Sequence, residues 1–162
     1  LDIDAYSPEG AAKIYDLQDP TAKMSKSGPN PKGLINSLDA PKTSAKRIRS
    51  AVTDDLGVVN FDRVNQPGVS NLLVIQSALT GENIDKLVER YDGLGYGQLK
   101  VDTADALEAF VTPLKARFDE LMDDRSEIER LLADGADKAT EIATPLLENV
   151  YDKIGFLPAR RR

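Results

Sequence analysis

Neither cysteine nor histidine occurs in the 162-residue sequence. Their absence excludes a disulfide framework, a Cys/His zinc site, a thiol nucleophile and an imidazole base, and with them many hydrolases and metalloenzymes. Long apolar runs are also lacking, because no stretch reaches the roughly 18 residues of a membrane span. Residues 1–10 carry three acids and no base, so no secretory signal is visible. These absences predict a soluble, cytoplasmic protein with no membrane partner.

Charge is distributed unevenly along a chain whose formal net charge is −6. The segment from Lys23 to Arg49 carries seven bases and one acid, Asp39, whereas the remainder is strongly acidic. Bulk charge therefore disfavours nonspecific binding to nucleic acid, but the basic segment is suited to a bound anion. An ordinary solvated surface with scattered lysines explains the same composition equally well.

Hydrophobic periodicity predicts a mainly helical chain, because apolar and polar residues alternate only at Lys13–Gln18, where we expect a short strand. Asp19–Gly33 follows as a loop rich in proline and glycine. We expect the apolar, aromatic and methionine residues of the later segments to form the core. The predicted helices are Pro31–Leu38, Lys42–Val52, Val69–Leu79, Asn83–Tyr91, Thr103–Met122, Arg125–Ala133 and Ala136–Ile154, with Pro113 and Pro145 inside the longer patterns.

The loop contains Lys23-Met24-Ser25-Lys26-Ser27 (KMSKS). Two lysines three residues apart, each beside a serine, can place two ammonium groups and hydroxyl donors around one polyanion, for which phosphate oxygens are the natural partner. Such groups assist nucleotide chemistry by meeting negative charge that grows on a departing pyrophosphate, without acting as acid, base or nucleophile.

KMSKS in this order resembles the signature loop of class I aminoacyl-tRNA synthetases. Five stretches in succession resemble bacterial tryptophanyl-tRNA synthetases, and the resemblance extends from about Lys13 to Phe156. The motif alone would not separate tryptophanyl from tyrosyl enzymes. The five stretches are DPTAKMSKS at 19–27, SAVTD at 50–54, PGVSNLL at 67–73, YGQLK at 96–100 and DGADKA at 134–139.

The resemblance implies the end of a Rossmann-type catalytic fold, made of the short strand and the KMSKS loop, followed by an α-helical anticodon-binding domain. The implied domains are residues 1–36, 37–133 and 134–162, the last being a C-terminal helix with a basic tail. The HIGH-type and amino-acid-binding segments of the family have no counterpart in the sequence. We therefore expect a carboxyl-terminal half that is inactive alone.

The resemblance also implies an activity. The family activates tryptophan with ATP, releases pyrophosphate and transfers the aminoacyl group to tRNA(Trp), with Mg²⁺ accompanying ATP and a homodimer as the usual complete form. By similarity, Lys23 and Lys26 are the catalytic residues, which would hold the phosphates and stabilise the leaving pyrophosphate. The implied nucleotide-binding residues are Ile14 at the adenine, Lys23, Met24 seating the loop, Ser25, Lys26 and Ser27. No residue is identified as a metal ligand.

Two departures from the family pattern lie beside the motif. Gly28 stands where relatives often have an acid, which predicts a more mobile loop. Tyr15 and Asp16 replace small or aliphatic residues, and we expect Asp16 on the solvent side. A helical basic group either contacts RNA phosphates or forms a solvated helix face, and its members are Lys42, Lys46, Arg47 and Arg49. A noncatalytic tRNA-binding or regulatory module and a tyrosyl enzyme are the alternative interpretations of the whole chain.

Overall fold

A computed structural model describes residues 13–157 of the protein. A single turn of 3₁₀-helix, Pro31–Gly33, precedes five α-helices. The α-helices are α1 Pro41–Arg49, α2 Pro67–Thr80, α3 Ile84–Arg90, α4 Gly95–Asp123 and α5 Arg125–Ile154. None of the helices in this part of the chain is both long and apolar enough to cross a membrane.

The chain divides into two compact units, and the boundary between them in the sequence follows Ala116, within α4. The predicted domains 1–36, 37–133 and 134–162 stay a prediction. In the first unit, α2 is the central helix, since nine of its 14 residues are buried. Helix α2 begins with Pro67 in its first turn and ends at Gly81, whose φ of 74° suits glycine. The hydrophobic core of this first unit includes Leu17, Ile48, Leu72, Leu73, Leu87, Tyr91, Leu99 and Val111.

The second unit, from Arg117 onward, consists of the end of α4 and the whole of α5. Its charged side chains pair along the helices, with Arg130 bonded to Glu127 at 2.8 Å and to Asp134 at 3.0 Å. Pairs spaced three or four residues apart lie on the same side of a helix and support it modestly. No residue of α5 whose burial is described is buried.

The predicted strand at Lys13–Gln18 is wrong, because residues 13–157 contain no strand. A single antiparallel bridge joins Tyr15 to Lys23. The physical reason is that the other edge of the segment bonds to a side chain and to loops, so no ladder of hydrogen bonds continues along it. The predicted end of a Rossmann-type sheet is therefore not found in the described residues.

Several helix boundaries also differ from the prediction, although α2 and α3 confirm the helices expected at Val69–Leu79 and Asn83–Tyr91. The helix expected over residues 31–38 is only one turn, because Leu34 after Gly33 is extended. Helix α1 ends at Arg49, and the N–H of Val52 donates instead to the carbonyl of Leu17. The two helices expected over 125–133 and 136–154 are one, α5.

The core prediction is wrong for Phe110, Phe118 and Met122 of α4. Phe110 is 53% exposed, Phe118 36% and Met122 47%. The 3.6-residue pattern correctly identified a helix but did not determine how much of its apolar face the described residues cover. Pro113 and Pro145 lie inside α4 and α5, respectively, and both helices continue past them.

Candidate functional site

The candidate site is built on the pairing of residues 14–16 with residues 22–24. The N–H of Met24 donates to the carbonyl of Ile14 at 3.1 Å, and the N–H of Asp16 donates to the carbonyl of Ala22 at 2.9 Å. These bonds flank the Tyr15–Lys23 bridge, so they bring the first residues of the KMSKS motif against the segment that carries Ile14.

Tyr15 is bonded on its other edge by the side chain of Asn71 in α2. The N–H of Tyr15 donates to Asn71 Oδ1 at 2.9 Å, and Asn71 Nδ2 donates to the carbonyl of Tyr15 at 2.9 Å. Asn71 is 4% exposed, which makes it one of the few buried polar side chains of α2. The sequence pattern identified α2 as a helix but gave no role to this amide.

Asp16 is buried, so the expectation that it lies on the solvent side is wrong. Its Oδ1 accepts the N–H of Gln18 at 2.7 Å and that of Asp19 at 3.1 Å, which closes the turn into the loop. A Cβ atom on Gly33 would lie 1.9 Å from the same oxygen. Gly33 is therefore required for the end of the loop to approach this carboxylate. Nothing local in the sequence indicates that Asp16 lies against Gly33, which is 17 residues away.

Both ends of the Asp19–Gly33 loop are fixed. At the start, Asp19 Oδ1 accepts the hydroxyl of Thr21 at 2.6 Å and its N–H at 3.1 Å, and these bonds lower the pKa of Asp19. At the end, the N–H of Leu17 donates to the carbonyl of Gly33 at 3.0 Å. The side chain of Asn30 also accepts the N–H of Lys32 at 3.0 Å, which caps the 3₁₀ turn.

The tip of the loop is a turn in which Ser25 and Ser27 are brought together. Their hydroxyl oxygens are 3.2 Å apart, and the N–H of Gly28 donates to the carbonyl of Ser25 at 3.1 Å. A Cβ atom on Gly28 would lie 3.2 Å from that carbonyl oxygen, which is a tight approach. Gly28 thus suits the turn sterically, while its predicted effect on loop mobility stays a prediction.

The structure places the predicted nucleotide-binding residues in two groups. Ile14 and Met24 are half-buried and pack against the core, which anchors the base of the loop. Lys23 and Lys26 are exposed, and within residues 13–157 neither ammonium group has a hydrogen bond or an ion pair. Two available cations beside two hydroxyl groups can receive an anion from solvent. The individual roles assigned to these residues stay predictions.

A second polar cluster joins two stretches that are distant in the sequence, SAVTD at 50–54 and YGQLK at 96–100. The hydroxyl of Tyr96 donates to Asp54 through a short hydrogen bond, and Gln66 Nε2 donates to the Tyr96 hydroxyl at 2.9 Å. Lys100 Nζ donates to the hydroxyl of Thr53 at 3.0 Å. The cluster fastens the 51–60 connector to the first turns of α4.

The cluster changes the protonation of its members. Burial would raise the pKa of Asp54, but hydrogen bonds from Tyr96, the Leu56 N–H and Gln66 outweigh it and lower that pKa. Burial, together with the Asp54 carboxylate, raises the pKa of Tyr96. Burial lowers the pKa of Lys100. These are the effects expected of a partly desolvated structural network.

The basic group of α1 is divided between structural and exposed side chains. Arg47 Nη1 donates to Asp39 at 2.6 Å and to the carbonyl of Leu34 at 2.9 Å, while Arg49 pairs with Asp105 at 2.8 Å. Lys42 and Lys46 are exposed. Arg49 is exposed as well, so only Arg47 is half-buried, and RNA contact by this group stays a prediction.

A cavity of about 260 Å³ lies beside the Tyr15 segment, and no residue of the KMSKS motif lines it. Its wall includes Lys13, Tyr15, Thr21 and Asn71. In the described part of the chain, no cluster of three or more acidic side chains could hold a metal ion.

Comparison with known proteins identifies one family. The model of the family "tRNA synthetases class I (W and Y)" matches residues 8–112. The tryptophan–tRNA ligase of Corynebacterium efficiens is 70% identical over 159 residues, and that of Bacillus subtilis is 43% identical over 154. These matches cover 98% and 95% of this chain, respectively, and 46% of each relative. The chain thus spans about half the length of these curated relatives.

Two solved structures resemble the fold. The tryptophanyl-tRNA synthetase of Mycoplasma pneumoniae superposes with a TM-score of 0.76 at 30% identity, covering 93% of this chain and 45% of that one. The enzyme of Campylobacter jejuni, in complex with ADP and tryptophan, gives 0.70 at 29% identity, covering 92% and 45%. The chain belongs to the family of class I tRNA synthetases for tryptophan and tyrosine.

The extent of the family match corrects the rest of the predicted fold class. The match begins before the KMSKS loop and extends to residue 112, through most of the first compact unit. The description of the chain as a carboxyl-terminal half composed mainly of a separate anticodon-binding domain is therefore wrong. The predicted domain boundary at residue 37 stays a prediction.

Proposed function

We propose that this chain supplies the pyrophosphate-stabilising loop of a tryptophan–tRNA ligase. The observation that carries the proposal is the display of Lys23 and Lys26 on a loop whose base is held by the core, in a chain 70% identical to such a ligase. The substrates are ATP, tryptophan and tRNA(Trp), and the working form is a homodimer.

In the proposed reaction, the tryptophan carboxylate attacks the α-phosphorus of ATP, and pyrophosphate leaves. Negative charge grows on the departing phosphates, and Lys23 and Lys26 meet it from the loop. The hydroxyl groups of Ser25 and Ser27 exchange their mutual contact for hydrogen bonds to phosphate oxygens. Ile14 borders the adenine, and Met24 keeps the loop seated on the core. Stabilising charge that is largest in the transition state accelerates adenylation without a proton transfer by these residues.

Mg²⁺ would accompany ATP and neutralise phosphate charge, and none of the steps above depends on it. The transfer step uses tryptophanyl-adenylate and the terminal adenosine of tRNA(Trp). Since pyrophosphate has left by then, Lys23 and Lys26 contribute mainly to the first step.

The test is tryptophan-dependent exchange between ATP and labelled pyrophosphate, measured on a full-length synthetase that carries this chain. Exchange with tryptophan and none with tyrosine is the expected result. Exchange with tyrosine alone would show that the full-length protein is a tyrosyl-tRNA synthetase. A full-length protein that binds tRNA(Trp) but catalyses no exchange would be a noncatalytic module, and the proposal would fail.

A further inference from the structure

We propose that Asn71 is a positioning residue for adenylation, because its side-chain amide takes the place of a neighbouring strand and fixes the segment against which Lys23 is held. The inference deepens the proposed function and rests on it for the catalytic consequence. The geometric part rests only on contacts in the structure.

The first step is the direction of the backbone groups around Tyr15. In an extended segment, successive N–H and C=O groups point to opposite edges. The carbonyl of Ile14 and the N–H of Asp16 point to residues 22–24, at the start of the KMSKS motif. The N–H and C=O of Tyr15 point the other way, and both are bonded by Asn71.

The second step is the match between an asparagine side chain and a peptide group. A carboxamide has one acceptor and an NH₂ donor in one plane, so it can pair with a backbone N–H and C=O as a peptide group can. Both distances to Tyr15 are 2.9 Å. Asn71 therefore satisfies the two groups that a strand would otherwise satisfy, and α2 fixes where they lie.

The third step is the connection to the motif. Moving Tyr15 moves Ile14 and Asp16, since all three share one extended stretch. Their bonds to Met24 and Ala22, at 3.1 and 2.9 Å, transmit the displacement to both sides of Lys23. Displacements of about 1 Å at a reacting centre can cost about 10²-fold in rate. Asn71 thus acts on catalysis through the backbone, without touching the nucleotide.

The chain offers a matched control on the same helix. Gln76 is as buried as Asn71, at 2% against 4% exposed, and its amide also makes two hydrogen bonds. It donates to the hydroxyl of Tyr91 at 2.6 Å and accepts from that of Thr103 at 3.3 Å. Neither partner belongs to the loop or to the Tyr15 segment. Replacing Gln76 therefore measures the general cost of removing a buried amide from α2.

The experiment compares Asn71→Leu, Asn71→Asp and Gln76→Leu in the full-length synthetase. Asn71→Leu removes both bonds, whereas Asn71→Asp keeps the acceptor for the Tyr15 N–H and loses the donor. We expect the kcat/KM for ATP in pyrophosphate exchange to fall roughly 10- to 10²-fold in Asn71→Leu. The loss should be at least as large in Asn71→Asp, because its second carboxylate oxygen would face the Tyr15 carbonyl with no donor between them. Gln76→Leu should lower the melting temperature comparably while changing kcat/KM less than about twofold.

Hydrogen–deuterium exchange at the backbone N–H of Met24 and Asp16 gives an activity-independent readout. Both amides should exchange faster in the two Asn71 variants and at the wild-type rate in Gln76→Leu. Equal losses of kcat/KM in Asn71→Leu and Gln76→Leu, or unchanged exchange at Met24 in the Asn71 variants, would overturn the inference. A wild-type protein without pyrophosphate exchange would defeat the proposed function, and the amide-exchange rates would still decide whether Asn71 holds the loop.

Discussion

Lys23 and Lys26 are the residues at which the proposed chemistry is most directly tested. Replacing either by alanine in the full-length synthetase should lower the rate of tryptophanyl-adenylate formation by roughly 10²-fold or more, because each ammonium group meets charge that develops on pyrophosphate. Tryptophan affinity should change little. Rapid-quench measurement of adenylate formation gives the rate.

Lys32 provides the matched control for both variants. It is exposed in the same loop but lies in the 3₁₀ turn beyond Pro31, outside the motif. Lys32→Ala should leave adenylate formation nearly unchanged. A loss equal to that of Lys23→Ala would show that the loop acts only as a general basic surface.

Gly33 is a residue at which a side chain would not fit without a change in its surroundings. Its substitution by alanine would place a Cβ atom about 2 Å from the carboxylate of Asp16, so the carboxylate would have to give up its bonds to the turn. We expect Gly33→Ala to lower the free energy of unfolding by roughly 1–3 kcal/mol, measured by denaturant titration.

Gly135 supplies the contrasting substitution. It lies inside α5, and a Cβ atom there would meet nothing within 4 Å. Gly135→Ala should therefore raise helix stability by about 0.5–1 kcal/mol. A Gly33→Ala protein as stable as the wild type would contradict the close approach of the loop end to Asp16.

The sequence predicts the chemistry-bearing residues, but it does not identify the residues that hold them in place. Lys23 and Lys26 lie in a short contiguous motif, and local order is what a sequence shows directly. Asp16 and Asn71 act through partners 17 and 56 positions away, respectively, and neither pairing follows any periodicity. Their roles depend on which backbone groups tertiary contacts leave without partners.

At the scale of elements, α1 carries one bonded arginine, Arg47, and two exposed lysines, Lys42 and Lys46. Replacing Lys42 and Lys46 together by alanine should weaken tRNA binding and reduce the slope of log affinity against log salt by about two, if each lysine contacts one phosphate. Adenylation should be nearly intact. Filter binding over a salt series makes the measurement.

Arg47→Ala is the internal comparison for α1. Because Arg47 bonds Asp39 and the carbonyl of Leu34, its loss should lower the melting temperature more than the double lysine change does. If the slope of log affinity against log salt does not change when both lysines are replaced, the exposed face of α1 is only a solvated surface.

The cluster that fastens the 51–60 connector to α4 predicts a dependence on pH. The pKa of Asp54 is lowered below its ordinary value of 3.8, so its contribution to stability is present above that value and is lost as the pH falls through the lower, folded-state pKa. Tyr96→Phe removes the hydroxyl and should cost roughly 1–3 kcal/mol at neutral pH. The difference from the wild type should shrink as the pH falls below 3.8.

Denaturant titrations of the wild type and Tyr96→Phe across that pH range test whether the stability difference decreases as the pH falls. Tyr151→Phe is the control, since within residues 13–157 its hydroxyl has no hydrogen bond. A Tyr96→Phe difference that stays constant as Asp54 becomes protonated would show that the two groups are not coupled.

Helix prediction succeeded where apolar periodicity and end signals agreed. Helices α2 and α3 are each bounded by residues that suit their ends, and both were located within two residues. The predicted interruption between the helices at 125–133 and 136–154 is absent from α5. One exposed glycine, Gly135, destabilises a long helix by only about 1 kcal/mol, so the helix continues through it. The helix expected over 31–38 failed because Gly33 approaches Asp16, a tertiary constraint.

At the scale of the molecule, the chain spans about half the length of the curated relatives it matches. The 162-residue chain alone should therefore show no tryptophan-dependent pyrophosphate exchange, because the KMSKS loop would meet a nucleotide that nothing else positions. Assaying the chain beside the full-length synthetase at equal concentration makes the comparison. Measurable exchange by the chain alone would show that a complete adenylation site forms within it.

The bond between Leu17 and Gly33 has a consequence for how the loop tolerates changes in length. It joins the two ends of the KMSKS loop, so the folded scaffold already holds these ends together and offsets the entropy lost on closing the loop. A doubling of loop length would add only about 0.6 kcal/mol to that cost. Insertions after Gly28 should therefore be nearly silent in folding while displacing the lysines from the phosphates, which would let the length of this loop vary the catalytic rate without altering the scaffold.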